Sequence, residues 1–268
     1  MKGQNGVALV VFDWAGTTVD YGCMAPVIIF EETFLLKGIN FTREEINEPM
    51  GMEKKEHIRF LLSTEKGNSQ WNRLYKRAWT EEDVNELYEI FESKLFEIVA
   101  RYSKPIDGVT ETVKQLRMKG IKVGSTTGYT SEMMKNVIPG ARMAGYEPDC
   151  VITPDVTGSG RPKPFMVYEC MKKLDVYPPK RVIKVGDTKT DILEGKNAGV
   201  WSIGIILGSN AMGLSEEEMM DMSESDMKLR AERVRKEYFD AGADFVLESI
   251  RELPALIEKL NMEIGGGK

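Results

Sequence analysis

Residues 6–12 read Gly-Val-Ala-Leu-Val-Val-Phe and stop at Asp13, an unbroken apolar run whose first charge comes at its carboxyl end. A strand with one face in water would alternate apolar and polar residues. A continuous run is what a parallel strand covered by helices on both faces requires. Similar short runs lie at 121–125, 150–152, 182–186 and 200–205, with a helical pattern between each and the next. Strand alternating with helix implies right-handed crossovers and an α/β fold built on a doubly wound parallel sheet, with the chemistry in the crevice outside the carboxyl ends of the strands. Asp13 falls at that edge, and Trp14-Ala15-Gly16-Thr17-Thr18-Val19-Asp20 follows it. A carboxylate presented there on a glycine turn is the first candidate nucleophile.

Between 21 and 103 the pattern becomes purely helical, with apolar residues at helical spacing in 26–36, 54–62 and 84–99. This predicts a helical cap (21–103) inserted into an α/β catalytic core (1–20 and 104–268), with hinges at 19–22 and at the Pro-Gly-containing stretch 103–108. A chain of 268 residues is long enough for such a core and insertion. The charged stretch 215–240 reads as one or two solvated helices in which Met219, Met220, Met222 and Met227 pack rather than bind metal. The terminal Gly265-Gly266-Gly267-Lys268 is expected to fray.

A net charge of −6 argues against a nucleic-acid partner or an acidic membrane surface and requires any anion site to be local. Three cysteines, Cys23, Cys150 and Cys170, at spacings unlike a metal knuckle, argue against disulfides and zinc and fit a cytoplasmic protein. No apolar leader precedes the first strand, and no apolar run is long enough to span a membrane.

The run from Asp13 to Thr18 resembles the first motif of the haloacid dehalogenase superfamily, usually Asp-x-Asp-Gly-Thr, whose first Asp attacks phosphorus to form an aspartyl-phosphate. Here Ala15 stands where the second Asp would be. A phosphate monoesterase must protonate a departing alkoxide, and a methyl group cannot do so. If the leaving atom is carbon, a lysine imine conjugated to it can take up the electrons. The best candidate for that lysine is Lys54. Pro49 and Gly51 break the preceding helix, so Lys54 opens a new one, where the positive helix end and nearby cations favour the neutral amine. His57, the only histidine, lies three residues on, within reach for proton shuttling, and Met50 lies four before on the same side. Lys55 points about 100° further round the helix and is the rival.

Taken together the motifs resemble the phosphonatase branch of that superfamily, enzymes that hydrolyse the carbon–phosphorus bond of phosphonoacetaldehyde. The matching stretches are Asp13 to Cys23, Pro49-Met50-Gly51, Lys54, His57, Gly124-Ser125-Thr126-Thr127-Gly128-Tyr129, Gly160-Arg161-Pro162 and Lys184-Val185-Gly186-Asp187-Thr188. The resemblance implies a Mg²⁺ site on Asp13, the Ala15 carbonyl and Asp187. Asp191 is expected as a partner in the second layer, or as a helix-start aspartate stabilised by the dipole. It implies phosphoryl binding by the Thr127 hydroxyl (alternatively Thr126), the Gly128 amide and Arg161, which offers a planar fork to two oxygens, with Lys163 as rival. Tyr129 and Cys23 are expected near the substrate, though each could simply pack. The implied reaction forms an imine on Lys54, transfers phosphorus to Asp13 and hydrolyses both, and the superfamily makes a homodimer plausible. The alternatives are a phosphatase or sugar-phosphate mutase that recruits another acid, and a non-catalytic binding protein.

Overall fold

The computed structural model describes residues 6–266; residues 1–5 and the last two, Gly267 and Lys268, lie outside the described residues. Strand β1 (Leu9–Phe12) is followed by five helices, α1 (Met24–Leu36), α2 (Arg43–Asn47), α3 (Lys54–Ser63), α4 (Glu65–Tyr75) and α5 (Glu81–Ile98). The chain then alternates: α6 (Val109–Met118), β2 (Lys122–Thr126), α7 (Ser131–Met143), β3 (Cys150–Ile152), α8 (Pro154–Thr157), α9 (Phe165–Lys173), β4 (Val182–Gly186), α10 (Lys189–Ala198) and β5 (Trp201–Ile205). It closes with α11 (Glu216–Asp221), α12 (Glu224–Asp240), β6 (Phe245–Leu247) and α13 (Leu253–Gly266).

The six strands form one parallel sheet in the order β3-β2-β1-β4-β5-β6, the doubly wound α/β architecture expected. The order reverses beside β1, where the chain moves outward to β2 and β3 and then returns to β4. Such a switch point opens a crevice at the carboxyl ends. With Phe12 level with Ser125 and Val185, the residues that follow β1, β2 and β4, Asp13, Thr127 and Asp187, emerge side by side.

The apolar run in β1 divides between the two faces. Val10 and Phe12 join the core shared with α6 and the inserted helices, and Leu9 and Val11 join the one under α9. Both faces are dry, which is why the sequence does not alternate there. A third cluster packs α12 (Val234, Tyr238) against Ile192, Ile206 and Val246, with Met219 and Met227 at its edge. Met220 is 76 % exposed and does not pack, because it falls on the outer face of the short helix α11. The sixth strand was not legible as a strand. It has three residues, at the sheet edge, and follows Gly242 without an apolar run long enough to distinguish it from a loop.

Among the inserted helices, Val84, Leu87, Phe91 and Leu95 make the buried stripe of α5, and Phe91 stacks on Phe30 of α1 at 4.3 Å between ring centroids. The polar helices α2 and α4 lack such a stripe in sequence and are set by their ends: Thr42 and Glu45 form a capping box on α2, and Thr64 caps α4 through Gly67 N–H. Among the described residues no helix is long and apolar enough to cross a membrane.

Where β1 leaves the sheet, Asp20 holds the first inserted helix. Its carboxylate accepts the N–H groups of Met24 (2.9 Å) and Ala25 (3.1 Å), and its own backbone is left-handed at φ 56°. Burial pushes this carboxyl up from 3.8 to about 7, against the opposing pull of the two N–H groups and of Lys54. Between those two values the folded chain holds more protons than the unfolded one at Asp20. The residue's contribution to stability therefore falls as pH rises from about 4 to 7 and stays low above that range. In Asp20→Asn this slope disappears, so the stability of the variant relative to the parent should climb by up to about 4 kcal/mol between pH 4 and pH 8 in denaturant titrations; a flat difference would refute the assignment. Phe91→Ala should lower stability by about 3–5 kcal/mol, whereas Phe60→Ala, on the exposed side of α3, should stay within about 0.5 kcal/mol.

Candidate active site

At the switch point the inserted helices and the sheet edge enclose a cavity of about 20 Å³, room for roughly one water molecule. Asp13, Ala15, Cys23, Met50, Lys54, Thr127, Gly128, Tyr129 and Arg161 all line it, joined by Gly51 and Thr188. His57, Asp187 and Asp191 do not line it but sit directly behind its walls. The Met50–Gly51 segment closes it against Thr188 and Gly128.

Lys54 begins α3. Glu53 caps the helix, its carboxylate accepting the N–H groups of Lys55 and Glu56. The Lys54 amine is buried, 3.7 Å from the Met50 sulfur, and it lies over the rings of Tyr129 (5.4 Å) and Phe30 (5.7 Å). Its pKa is lowered, first by burial and then by Arg161, against the opposing charges of Cys23, Asp13 and Glu53. The expected cause is thus corrected. The helix end is already occupied by Glu53, and it is loss of water that favours the neutral amine. Lys55 points away, to Asn85 (3.1 Å) and the Tyr88 ring.

His57 is fully buried and packs on Phe30 with 3.9 Å between ring centroids. Neither ring nitrogen has a partner at full hydrogen-bond geometry. Burial, and then the Lys54 charge, push its pKa well down, so the imidazole is neutral.

On the sheet side, Asp13, Asp187 and Asp191 each offer an oxygen within 4.8 Å of the others. Asp187 accepts the Thr17 hydroxyl (2.8 Å) and the Asn210 N–H (2.8 Å). Burial, then Asp13 and Asp191, push its carboxyl well up. A group driven that way needs a cation close by to stay ionised, and three hard oxygen donors suit Mg²⁺. Gly16 makes the approach possible: at φ +87°, a Cβ there would lie 2.2 Å from an Asp187 oxygen. For Asp191 burial would raise the pKa, yet Arg161 and Lys184 outweigh it and hold it low. Its oxygens take Lys184 Nζ (2.6 Å), the Thr188 hydroxyl (2.6 Å) and Arg161 (3.0 Å).

Arg161 is more tightly bound than a free fork. Its Nε donates to Glu194 (2.9 Å), one terminal nitrogen faces Asp191, and the other reaches Asp13 (2.6 Å) and the Thr126 hydroxyl (2.8 Å). Burial opposes its charge, but Asp13, Asp191 and Glu194 raise its pKa overall. Thr126 is thereby committed to the Arg161–Glu194 pair, which leaves Thr127 as the hydroxyl facing the cavity. Lys163 is exposed.

Glu194, Lys184, Thr17, Asn210 and Asp20 were not singled out from sequence. Glu194 and Lys184 did carry a signal, since charges inside an apolar strand and on the sheet-facing side of a helix are buried and must be paired. Asn210 had none, because only the fold brings its loop beneath Asp187.

The family described as haloacid dehalogenase-like hydrolase matches residues 7–199, and a second, described as HAD-hydrolase-like, matches 158–253. Phosphonoacetaldehyde hydrolase from Bacillus cytotoxicus is 48 % identical over 257 residues, 96 % of this chain and 97 % of that protein. The protein of the same name from Bacillus thuringiensis is 46 % identical over the same shares. Among solved structures, a phosphonoacetaldehyde hydrolase-like protein from Oleispira antarctica superposes with a TM-score of 0.95 at 36 % identity, covering 98 % of this chain and 95 % of its own. A sheet switch point with Asp13 and Asp187 at its edge, a buried lysine facing them and full-length relatives of one name agree: the chain is a hydrolase of the haloacid dehalogenase-like superfamily and belongs to its phosphonoacetaldehyde hydrolase family.

Proposed function

We propose that this chain hydrolyses the carbon–phosphorus bond of phosphonoacetaldehyde to acetaldehyde and phosphate through a lysine imine and an aspartyl-phosphate. One observation carries the reading: the desolvated Lys54 amine and the Asp13 carboxylate line the same 20 Å³ cavity, and Ala15, two residues past Asp13, offers no acid. The name shared by relatives at 46–48 % identity supports the same substrate.

In this reading Lys54 attacks the aldehyde carbon, water leaves, and an imine conjugated to the carbon bearing phosphorus results. Asp13 attacks phosphorus, the carbon–phosphorus electrons move into the imine to give an enamine, and a proton returns to that carbon. Water then releases acetaldehyde from Lys54 and phosphate from Asp13. Thr127 and the Gly128 amide hold phosphoryl oxygens. Arg161 gives up its Asp13 contact to do the same, donating one terminal nitrogen while Glu194 and Asp191 keep the rest of the guanidinium in place. Asp13, Asp187 and the Ala15 carbonyl would hold Mg²⁺, which would offset the charge of two anions brought together, while Asp191 holds Lys184, Thr188 and Arg161 in place. His57, on the Lys54 face of α3 and packed on Phe30, assists the lysine, its lowered pKa keeping the imidazole in the neutral form that can accept a proton. Met50, Cys23 and Tyr129 form the dry wall around the amine.

Residues 21–103 act as the cap and 1–20 with 104–268 as the core, opening at Asp20 and at 103–108 to admit substrate and closing to exclude water. Three free thiols support a reducing, cytoplasmic setting. Leu35 and Leu36, 66 % and 64 % exposed on α1, support a homodimer through the cap.

Borohydride added with phosphonoacetaldehyde should label Lys54 irreversibly, and mass spectrometry of the digest locates the adduct. The rate of labelling should rise with pH through a pKa below the ordinary lysine value of 10.5, as the lowered pKa demands. Lys54→Arg should lose carbon–phosphorus cleavage by on the order of 10³-fold or more. Turnover of phosphate esters by Lys54→Arg at the parent rate, with no labelling of the parent, would instead support the phosphatase reading.

A further inference from the structure

We infer that Asn210 is a positioning residue that couples docking of the inserted helices to the Asp187 carboxylate, so that closure and cation binding strengthen one another. This rests on the proposed reading that Asp187 holds the cation.

Asn210 is buried and starts a short turn, Asn210–Met212, pinned on both sides. Ser209 accepts the Met212 N–H (3.1 Å), and Arg230 donates to the Met212 carbonyl (2.8 Å). From that fixed place its two ends reach in different directions. The backbone N–H donates to Asp187 Oδ2 (2.8 Å), and the side-chain Nδ2 donates to Oδ1 of Asn47 (2.8 Å), the last residue of α2. One residue thus bonds both a carboxylate of the acidic cluster and the inserted helices.

Two further polar contacts cross the same seam. Thr190 donates to the Met50 carbonyl (3.3 Å), and Arg43 donates to both oxygens of Glu218 (3.0 and 3.1 Å). Neither Thr190 nor Glu218 has a hydrogen bond to Asp187 among the described residues. The amide pair is different in kind. Loss of Asn47 would leave Nδ2 without its acceptor and remove the one side-chain bond that braces Asn210, and with it the N–H held on Asp187, against the inserted helices. That N–H fixes the carboxylate with its other oxygen on Thr17. Freed of it, Asp187 would face Asp13 and Asp191 less well aligned to share a cation. Any energetic link of this kind works in both directions: what docks Asn47 favours the cation, and the cation favours docking. Three residues beyond Asn47, Met50 sits against the Lys54 amine, so the same docking delivers the lysine.

The test is Mg²⁺ affinity by titration calorimetry on the full chain without substrate, a readout independent of turnover. Asn47→Ala, which touches no carboxylate of the cluster, should bind Mg²⁺ about three- to tenfold more weakly, the loss of one hydrogen bond. It should also lose Mg²⁺-dependent protection of the 103–108 segment from protease. Asn47→Asp, which keeps an acceptor for Nδ2, should bind at least as tightly as the parent and confirms that the bond, rather than the fold of α2, is being read. Arg43→Ala, which breaks the neighbouring contact, should stay within about twofold. Parent affinity in Asn47→Ala, or an equal loss in Arg43→Ala, overturns the coupling and leaves the reading of the site standing. A parent chain that bound no Mg²⁺ would overturn both, and borohydride labelling at Lys54 tests the imine separately.

Discussion

Four carboxylates, Asp13, Asp187, Asp191 and Glu194, are buried at the switch point against two cations, Arg161 and Lys184. Ionised together they lack two positive charges, and a buried charge deficit of that size is costly in a medium that solvates ions poorly. The cluster divides accordingly. Asp191 lies against both cations and is held ionised, while Asp187, facing carboxylates, is driven toward its protonated form. A divalent cation between Asp13 and Asp187 would supply the missing charge. Gly16, Thr17 and the Asn210 turn all read as supports for a carboxylate that would otherwise be repelled from its place.

The sheet supports this arrangement because parallel strands with both faces covered end together at one edge. That same dryness made the core legible. Residues 6–12 and 150–152 could be read as strands because nothing polar interrupts them, and 182–186 because Lys184 alone does; Asp13 and Asp187 stood out because each is the first acidic residue after such a run. Lys54 was legible for a related reason, since Pro49 and Gly51 left one place for a helix to begin. Features that depend on non-local packing were not. The three-residue edge strand β6 has too few residues to show a period, and α2 and α4 each bury one large apolar side chain, Ile46 and Trp71, too few to show one either. Arg161 could be recognised as the cation at the phosphoryl position. That three of its faces are already taken by Asp13, Asp191 and Glu194 follows only from where α10 lies against β4.

The same limit explains His57. Spacing placed it on the lysine's face of α3, and it is there, but sequence cannot show that Phe30 from α1 covers its ring. Burial against that ring, and then the Lys54 charge, push its pKa well down.

The two walls of the cavity therefore carry opposite electrostatic characters from one cause. On the side built by the inserted helices and by Tyr129, burial without pairing moves every titratable group toward neutrality: Cys23 and Tyr129 upward, Lys54 downward. On the sheet side, burial with pairing keeps Arg161 and Asp191 charged. In the proposed reaction the two walls divide the substrate between them, the uncharged aldehyde on the dry side and the anionic phosphoryl group on the paired side. On that reading the aldehyde meets the desolvated Lys54 amine, whose pKa is lowered, and phosphorus meets Asp13. A phosphate ester would meet the same charged wall but find no acid beside its leaving oxygen, because Ala15 removes it and the neighbouring thiol and phenol hold their protons too firmly to serve. On that reading, discrimination between carbon and oxygen as the leaving atom would follow from which wall is paired and which is only dry.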